Sequence, residues 1–325
     1  MKKTAIAPSN IAFIKYWGKK DEVLRLPENA SIAMCLSNLL TTTTVEFDES
    51  LKEDEVTIDG EKDAKKSKRV SGHLDLIREI AKIKARATVV SKNNFPSGTG
   101  LSSSASGFAA LTLAGVSAAG LDLSEKELSI IARKGSGSAC RSIPSGFVEW
   151  QDADRDDMSF AYSIYPQDFW DIADVVVVVS NEKKYISTTE GHKSANANPF
   201  MKVRLERIGE KIKRIKKIMD EKNFKEFGEL VEAEALELHS IMLTSDPPLL
   251  YWLPNTVLIM NFVRKLRESG LPVYFTINTG QDVHLIIEGK NVKKLISEIE
   301  KIEQVKNIIV NHPGQGTHLS LSHLF

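Results

Sequence analysis

The segment Pro96-Ser97-Gly98-Thr99-Gly100-Leu101-Ser102-Ser103-Ser104-Ala105-Ser106-Gly107 concentrates glycine and serine between an apolar extended stretch and an Ala-rich one. Glycine lets a backbone approach a ligand closely, and successive N–H groups of such a loop can converge on phosphate oxygens. A helix that begins here adds unpaired N–H groups and the positive end of its dipole. Ser97, Gly98, Gly100, Ser102, Ser103 and Ser104 are therefore the expected phosphate ligands. The loop is not a Walker loop, since no Gly-Lys-Ser/Thr follows, and it is not a GxGxxG fingerprint. A second cluster, Gly135-Ser136-Gly137-Ser138-Ala139-Cys140-Arg141-Ser142, sets hydroxyl and backbone donors beside an arginine. A guanidinium can clamp an oxyanion through two parallel hydrogen bonds. Both clusters suit a small anionic ligand.

Such clusters need elements to hold them. Residues 87–91 read as a strand entering the loop, and an Ala-rich helix leaves it and runs to about Gly120. Ser124 and Glu127 form a capping box before Leu128, Ile130 and Ile131, opening a helix that stops at Gly135 and delivers the second cluster. Upstream, 1–47 reads as extended segments ending in a Thr-rich strand at 41–47. The charged stretch 48–69, with its Asp59-Gly60 turn, reads as a solvated hairpin or loop, and 70–83 as an amphipathic helix. The valine run 175–179 reads as a strand covered on both faces. Beyond it Met201, Leu205, Ile208, Ile212 and Ile215 recur at helical spacing, as do Phe224, Phe227, Val231, Ala235 and Leu238. Strands at 273–277, 283–288 and 307–311, with a helix at 291–303, complete the pattern. The change of character divides an α+β domain over 1–185, carrying the loop, from a domain of helices on an antiparallel sheet over 186–325.

Lysine plus arginine and aspartate plus glutamate number 43 each in 325 residues, so there is no basic excess of the kind that nucleic acid or an anionic membrane requires. A local cluster of cations still suffices for a small anion. No apolar run approaches the roughly 20 residues of a membrane span, and the N-terminus does not read as a signal peptide. Cys35 and Cys140 read as buried thiols of a cytoplasmic protein. His192, His239 and His284 are scattered, with no partner at ligand spacing, so no protein-held metal is expected.

The loop resembles that of the GHMP kinase superfamily, and the chain resembles the mevalonate diphosphate decarboxylase family along nearly its whole length. The resemblance rests on Ala7-Pro8-Ser9-Asn10-Ile11-Ala12, Lys15-Tyr16-Trp17-Gly18-Lys19, Leu26-Pro27-Glu28-Asn29-Ala30-Ser31, the two clusters above and, more loosely, Ser245-Asp246-Pro247-Pro248 with Tyr251. It implies the two-domain α+β GHMP fold, with a ferredoxin-like C-terminal domain and the active site between domains. It implies a phosphorylated mevalonate as substrate, in isoprenoid biosynthesis, and a homodimer. It also implies that Ser136, Ser138 and Arg141 hold the carboxylate and phosphates, and that Tyr16 and Lys19 meet the 5-phosphate or diphosphate. Asn10 would orient it and Ser187 would add a contact. Lys15 would lie beside the C3 oxygen and stabilise the departing phosphate. Arg69 and Arg78 are further candidate cations.

One segment departs from the family. Where members carry roughly Asp-Ala-Gly-Pro-Asn, this chain reads Asn278-Thr279-Gly280-Gln281-Asp282. The family's aspartate is the base for the 3-hydroxyl, and an amide cannot accept that proton. Asp282, beyond the glycine, is not expected to substitute. Losing the base while keeping Lys15 and Arg141 fits an enzyme whose substrate arrives already phosphorylated at C3. The leading expectation is thus ATP-independent decarboxylation of mevalonate 3,5-bisphosphate to isopentenyl phosphate, as in archaeal relatives, with no cofactor. The alternative is an ATP-dependent decarboxylase of mevalonate 5-phosphate or 5-diphosphate using Mg-ATP. A mevalonate 3-kinase and a non-catalytic metabolite-binding regulator are weaker readings, since neither needs both cations.

Overall fold

The computed structural model describes residues 1–96, 100–180, 182, 191–192, 195 and 198–325. Ser97, Gly98, Ser187 and Thr188 lie outside the described residues.

Two long strands, β1 (Lys2–Ile14) and β2 (Ser31–Asp48), pair antiparallel, with Thr4 opposite Thr44 and Ile14 opposite Ile32. The β-branched Thr/Val run of β2 favours the pleated surface it forms. On its other edge β2 pairs with β4 (Arg86–Asn93), and β3 (Glu55–Ile58) runs parallel to β4. β5 (Phe147–Trp150) attaches to the start of β2, and β6 (Ala161–Tyr165) attaches to β5. Helices α1 (Ala64–Ala81), α2 (Ser103–Ala118) and α3 (Glu125–Gly135) share a core with Ala5, Ala7, Val45 and Val89. The small residues of α2 permit close contact: a side chain on Gly115 would meet Ile77 Cδ1 at 2.8 Å. The capping box on α3 forms as the sequence suggests. α1 begins six residues ahead of the expected 70, because Asp63 caps it by accepting from Lys66 N–H. Much of the stretch expected as a loop at 48–69 is therefore β3 and the first turns of α1.

The second sheet runs β10 (Asn307–Asn311), β7 (Ile172–Val178), β9 (Val283–Glu288) and β8 (Val273–Thr276), antiparallel throughout. The valine strand is buried on both faces for a visible reason. Ile172, Val176 and Val178 pack with Ile208, Ile212 and Ile215 of α4 (Met201–Asp220) and Phe227 and Val231 of α5 (Phe224–Leu243). Val175, Val177 and Val179 pack with Ile259 and Val263 of α6 (Pro254–Glu268) and Leu295 of α7 (Val292–Ile299). Each fully buried side chain of this kind contributes about 1.5–3 kcal/mol. The sheets divide the chain earlier than the expected boundary at 185/186, because β7 needs the cover of α4–α7 and so belongs to the second sheet. The chain then returns: β11 (His318–Ser320) pairs with β1. Among the described residues no helix is long and apolar enough to cross a membrane.

Candidate active site

Lys15 follows directly on β1, and its backbone is fixed from the second half of the chain. Its N–H donates to Glu234 Oε1 of α5 at 3.0 Å. Its carbonyl accepts from Arg204 of α4 and from Asn29 Nδ2, both at 2.9 Å. Arg204 also pairs with Glu234, and Lys211 pairs with the other oxygen of that carboxylate at 2.7 Å. The Lys15 side chain is buried, and its Nζ donates to Asn278 Oδ1 at 3.1 Å. Burial pushes the amine down to about 7; Glu234 and Asp174 pull upward, and Arg141 and Arg204 push further down. Asn278, just beyond β8, accepts at its carbonyl from His239 Nε2 at 3.0 Å. A carbonyl can only accept, so Nε2 carries the proton. Burial first, then the Lys15 charge, push His239 down to about 3, so the ring stays neutral. Asn278 Nδ2 donates to Ser102 Oγ at 3.3 Å, which ties the lysine to the glycine-serine loop.

Arg141 sits in the short 3-10 turn Gly137–Ser142 that α3 delivers. It donates through one terminal nitrogen to Ser31 Oγ at 2.7 Å and through Nε to Asn10 Oδ1 at 3.2 Å. Asn10 in turn donates to Ser142 Oγ at 2.9 Å and to the Ser138 carbonyl at 3.1 Å. Asn10 was expected beside the ligand; the structure places it behind Arg141, which it orients, and off the cavity wall. Tyr16 Oη is buried with no hydrogen-bond partner among the described residues. Gly137 makes room for it, since a Cβ there would lie 2.9 Å from that hydroxyl oxygen. Lys19 is paired with Glu22 at 2.5 Å. His192, which no local spacing marks, lies between Tyr16 and Trp17 with ring centroids 4.5 and 4.4 Å away, and its Nδ1 accepts from Gly18 N–H.

In the loop, Gly100 adopts φ +118°, and a Cβ on it would lie 2.6 Å from Gly280 Cα. Ser102 is the N-cap of α2 without a side-chain cap bond, so the side chain closes none of the first N–H groups. Ser104 Oγ is 3.4 Å from Ser136 Oγ, joining loop and turn. Lys15, Tyr16, Lys19, Gly100, Ser102, Ser103, Ser104, Ser136, Ser138, Arg141 and Asn278 line a single cavity of about 460 Å³. It continues past the loop into a bay walled by Ile58, Val70, Val89 and Phe108, with Thr41, Thr43, Ser91, Asn93 and Lys66. Apart from Arg69, over the Phe108 ring at 4.9 Å, none of these bay residues carried a signal in the sequence. Arg78 is engaged by Asp54 and Asp75 and lies off the cavity. Asp282 accepts from Val179 N–H at 3.1 Å and is not among the residues that line the cavity. Among the described residues no aspartate or glutamate lines the cavity, and none form a metal-holding group. Lys15, Lys19 and Arg141 with neutral donors suit phosphates and a carboxylate; the bay, with apolar faces from Ile58, Val70, Val89 and Phe108 and polar groups from Asn93, Lys66 and Arg69, suits a flat group that carries polar atoms.

The diphosphomevalonate decarboxylase-like N-terminal domain matches residues 7–161, and the mevalonate 5-diphosphate decarboxylase C-terminal domain matches 174–319. The diphosphomevalonate decarboxylase of Candida albicans is 34% identical over 313 residues, covering 91% of this chain and 86% of its own length. The phosphomevalonate decarboxylase of Haloferax volcanii is 34% identical over 297 residues, covering 91% of each. Among solved structures, "MDDEF in complex with MVAPP, AMPPCP and Magnesium" superposes with TM-score 0.93 at 35% identity over 98% of this chain and 99% of that one. Mevalonate diphosphate decarboxylase from Staphylococcus aureus gives TM-score 0.93 at 35% identity over 98% of each.

Proposed function

The chain belongs to the diphosphomevalonate decarboxylase family and has its two-domain α+β fold, and from that premise we propose that it decarboxylates a 5-phosphorylated mevalonate with consumption of ATP. The observation that carries this reading is the unbroken cavity. Lys15 and Arg141, Gly100 and Ser102–Ser104 without Leu101, and Ile58, Val70, Val89 and Phe108 all line it, so the substrate cations and the nucleotide bay share one space. The solved relative with AMPPCP and magnesium supports the same reading. In it Ser102, Ser103 and Ser104, with the open N-terminus of α2, cradle the nucleotide phosphates. Arg141 clamps the carboxylate, and Tyr16, Lys19, Ser136 and Ser138 hold the 5-phosphate end, where Ser187 was also expected. The 3-hydroxyl takes the γ-phosphoryl group; the C1–C2 bond then breaks to release carbon dioxide, its electrons form the C2–C3 double bond, and phosphate leaves C3. Lys15 neutralises that leaving group. We carry forward a cytoplasmic homodimer as part of the proposal; the unpaired, buried Cys35 and Cys140 suit a reducing compartment.

Asn278 supports a second reading, the ATP-independent decarboxylation of mevalonate 3,5-bisphosphate to isopentenyl phosphate, which needs no base. One experiment separates the two. Protein is incubated with mevalonate 5-phosphate or 5-diphosphate plus Mg-ATP, and separately with mevalonate 3,5-bisphosphate without nucleotide, and carbon dioxide is measured. Release only from the bisphosphate would sink the ATP-dependent reading; release only with ATP would sink the second.

A further inference from the structure

We propose that in this chain the side-chain amine of Lys15 itself accepts the proton of the substrate's 3-hydroxyl, the duty an aspartate performs elsewhere in the family. The inference rests on the ATP-dependent reading above.

Its first support is geometric. Lys15 Nζ and Asn278 Oδ1 are 3.1 Å apart, and both residues line the cavity. A carboxylate at 278 would do two things: act as base, and hold its lysine neighbour as ammonium. An amide does neither, because it cannot take a proton and carries no charge. An uncharged amine still has two N–H bonds. One satisfies Asn278 Oδ1, and the lone pair stays available for a hydroxyl proton. The single change that deletes the acid-base carboxylate therefore also releases the lysine from its counter-ion.

The second support is the charge around Lys15. Among the described residues the Nζ atom forms no ion pair, and no aspartate or glutamate lines the cavity. Glu234 of α5 lies near, yet its oxygens are taken by the Lys15 backbone N–H, Arg204 and Lys211. Of the neighbouring charges Glu234 favours the ammonium most, with Asp174 of β7 adding to it; Arg141 and Arg204 oppose it, and His239 of α5 is neutral. Burial dominates this balance and places the amine near neutrality, where a base works best.

The steps balance. The amine lone pair takes the hydroxyl proton; an N–H bond forms as the O–H bond breaks. The C3 oxygen bonds to the γ-phosphorus, and ADP departs with the electron pair of the broken P–O bond. Lys15, now an ammonium, faces the new 3-phosphate. When the C3–O bond breaks with loss of carbon dioxide, the departing phosphate carries the proton away, and the amine is restored.

The test uses the full-length protein with mevalonate 5-diphosphate or 5-phosphate and Mg-ATP, following ADP and carbon dioxide separately from pH 5.5 to 9. For the unaltered chain, kcat/KM for ADP formation rises with unit slope to a plateau above about pH 7. Lys15→Arg keeps a cation that cannot accept a proton, and ADP formation at pH 8 falls at least about 100-fold. In Asn278→Asp the carboxylate takes over and the acid limb moves down by about three pH units, leaving the measured range nearly flat; in the double variant it restores ADP formation at least about tenfold over Lys15→Arg. A readout independent of turnover is the 15N resonance of the Lys15 amine in the ligand-free protein, which titrates near neutrality. Three results would each overturn the proposal: ADP formation by Lys15→Arg within about threefold of the unaltered chain, an acid limb unmoved in Asn278→Asp, or an amine protonated up to pH 9. A different result marks failure of the underlying reading and removes the proposal with it: no ADP at any pH, alongside carbon dioxide from mevalonate 3,5-bisphosphate.

Discussion

Arg204 on α4 donates to the carbonyl of Lys15 at 2.9 Å, so a cation from the second sheet's layer fixes the backbone of a residue at the end of β1. Glu234 completes the clamp by accepting the Lys15 N–H while it pairs with Arg204 and Lys211. Truncating one member of such a buried pair leaves the rest uncompensated. Glu234→Ala is expected to destabilise the protein by about 3–5 kcal/mol and to lower kcat with it. Urea unfolding checks the first effect; a loss under about 1 kcal/mol would show that the clamp is not structural.

Gly100 and Gly280 meet with no room for a side chain. Gly100→Ala places a Cβ 2.6 Å from Gly280 Cα at a φ of +118° that L residues avoid. The expected outcome is at least about 2 kcal/mol of lost stability, seen by calorimetry, with ATP-dependent turnover falling because loop and Asn278 segment no longer register. Unchanged melting and turnover would refute it.

Arg141 is held by Ser31 and Asn10, which leaves its other terminal nitrogen for the ligand. Arg141→Lys keeps the charge but loses the fork. Carbon dioxide release should drop about 10²–10³-fold, more than ADP formation does; equal losses in both would argue against a role in carboxylate binding.

The apolar bay can be filled without touching the charged end. Val70→Trp should raise KM for ATP by about tenfold or more, while KM for the phosphorylated mevalonate stays within about twofold. A nucleotide KM that does not move would place the nucleotide elsewhere.

Two buried histidines set a pH dependence of stability. Burial pushes His73 and His239 down to about 3 from an ordinary 6.5. Between those values the unfolded chain binds protons that the folded chain does not. Stability therefore falls as pH drops from about 6.5 toward 3, by up to about 1.4 kcal/mol per pH unit for each histidine. Urea midpoints from pH 7 to 4 should show a shallower slope in His239→Gln; parallel slopes would remove this account.

Local chemistry made much of the architecture legible. The Ser124–Glu127 capping box, the valine run and the two long amphipathic patterns at 201–215 and 224–238 became α3, β7, α4 and α5, because each signal lies within one element. The sequence reading missed what depends on partners distant in the chain. α6, which covers the outer face of β7, drew no assignment, and neither did β5, β6 or β11. In the site, Lys15, Tyr16, Arg141, Ser102–Ser104, Ser136 and Ser138 stood out by motif, and all of them line the cavity. That Asn10 accepts from Arg141 Nε could not be read in one dimension, where facing a ligand and facing Arg141 look alike. The bay residues and His192 were invisible for the same reason: ordinary strand and helix residues become a wall only once β2, β3, β4, α1 and α2 converge.

The return of β11 to the edge of β1 bears on how this protein acquires its shape. Thr4 and His323 hydrogen-bond at 2.8 Å although 319 positions separate them, and Lys2 reaches the Phe325 carbonyl. The entropy of closing so long a loop grows only logarithmically, so the finished ladder is not weak on that account. Its formation is another matter. Contacts of such separation come late and slow the search, so the first sheet should spend part of its folding time with an unprotected edge. Until that strand docks, β1 offers a row of unpaired backbone groups to any other nascent chain, and the final pairing serves as protection against self-association.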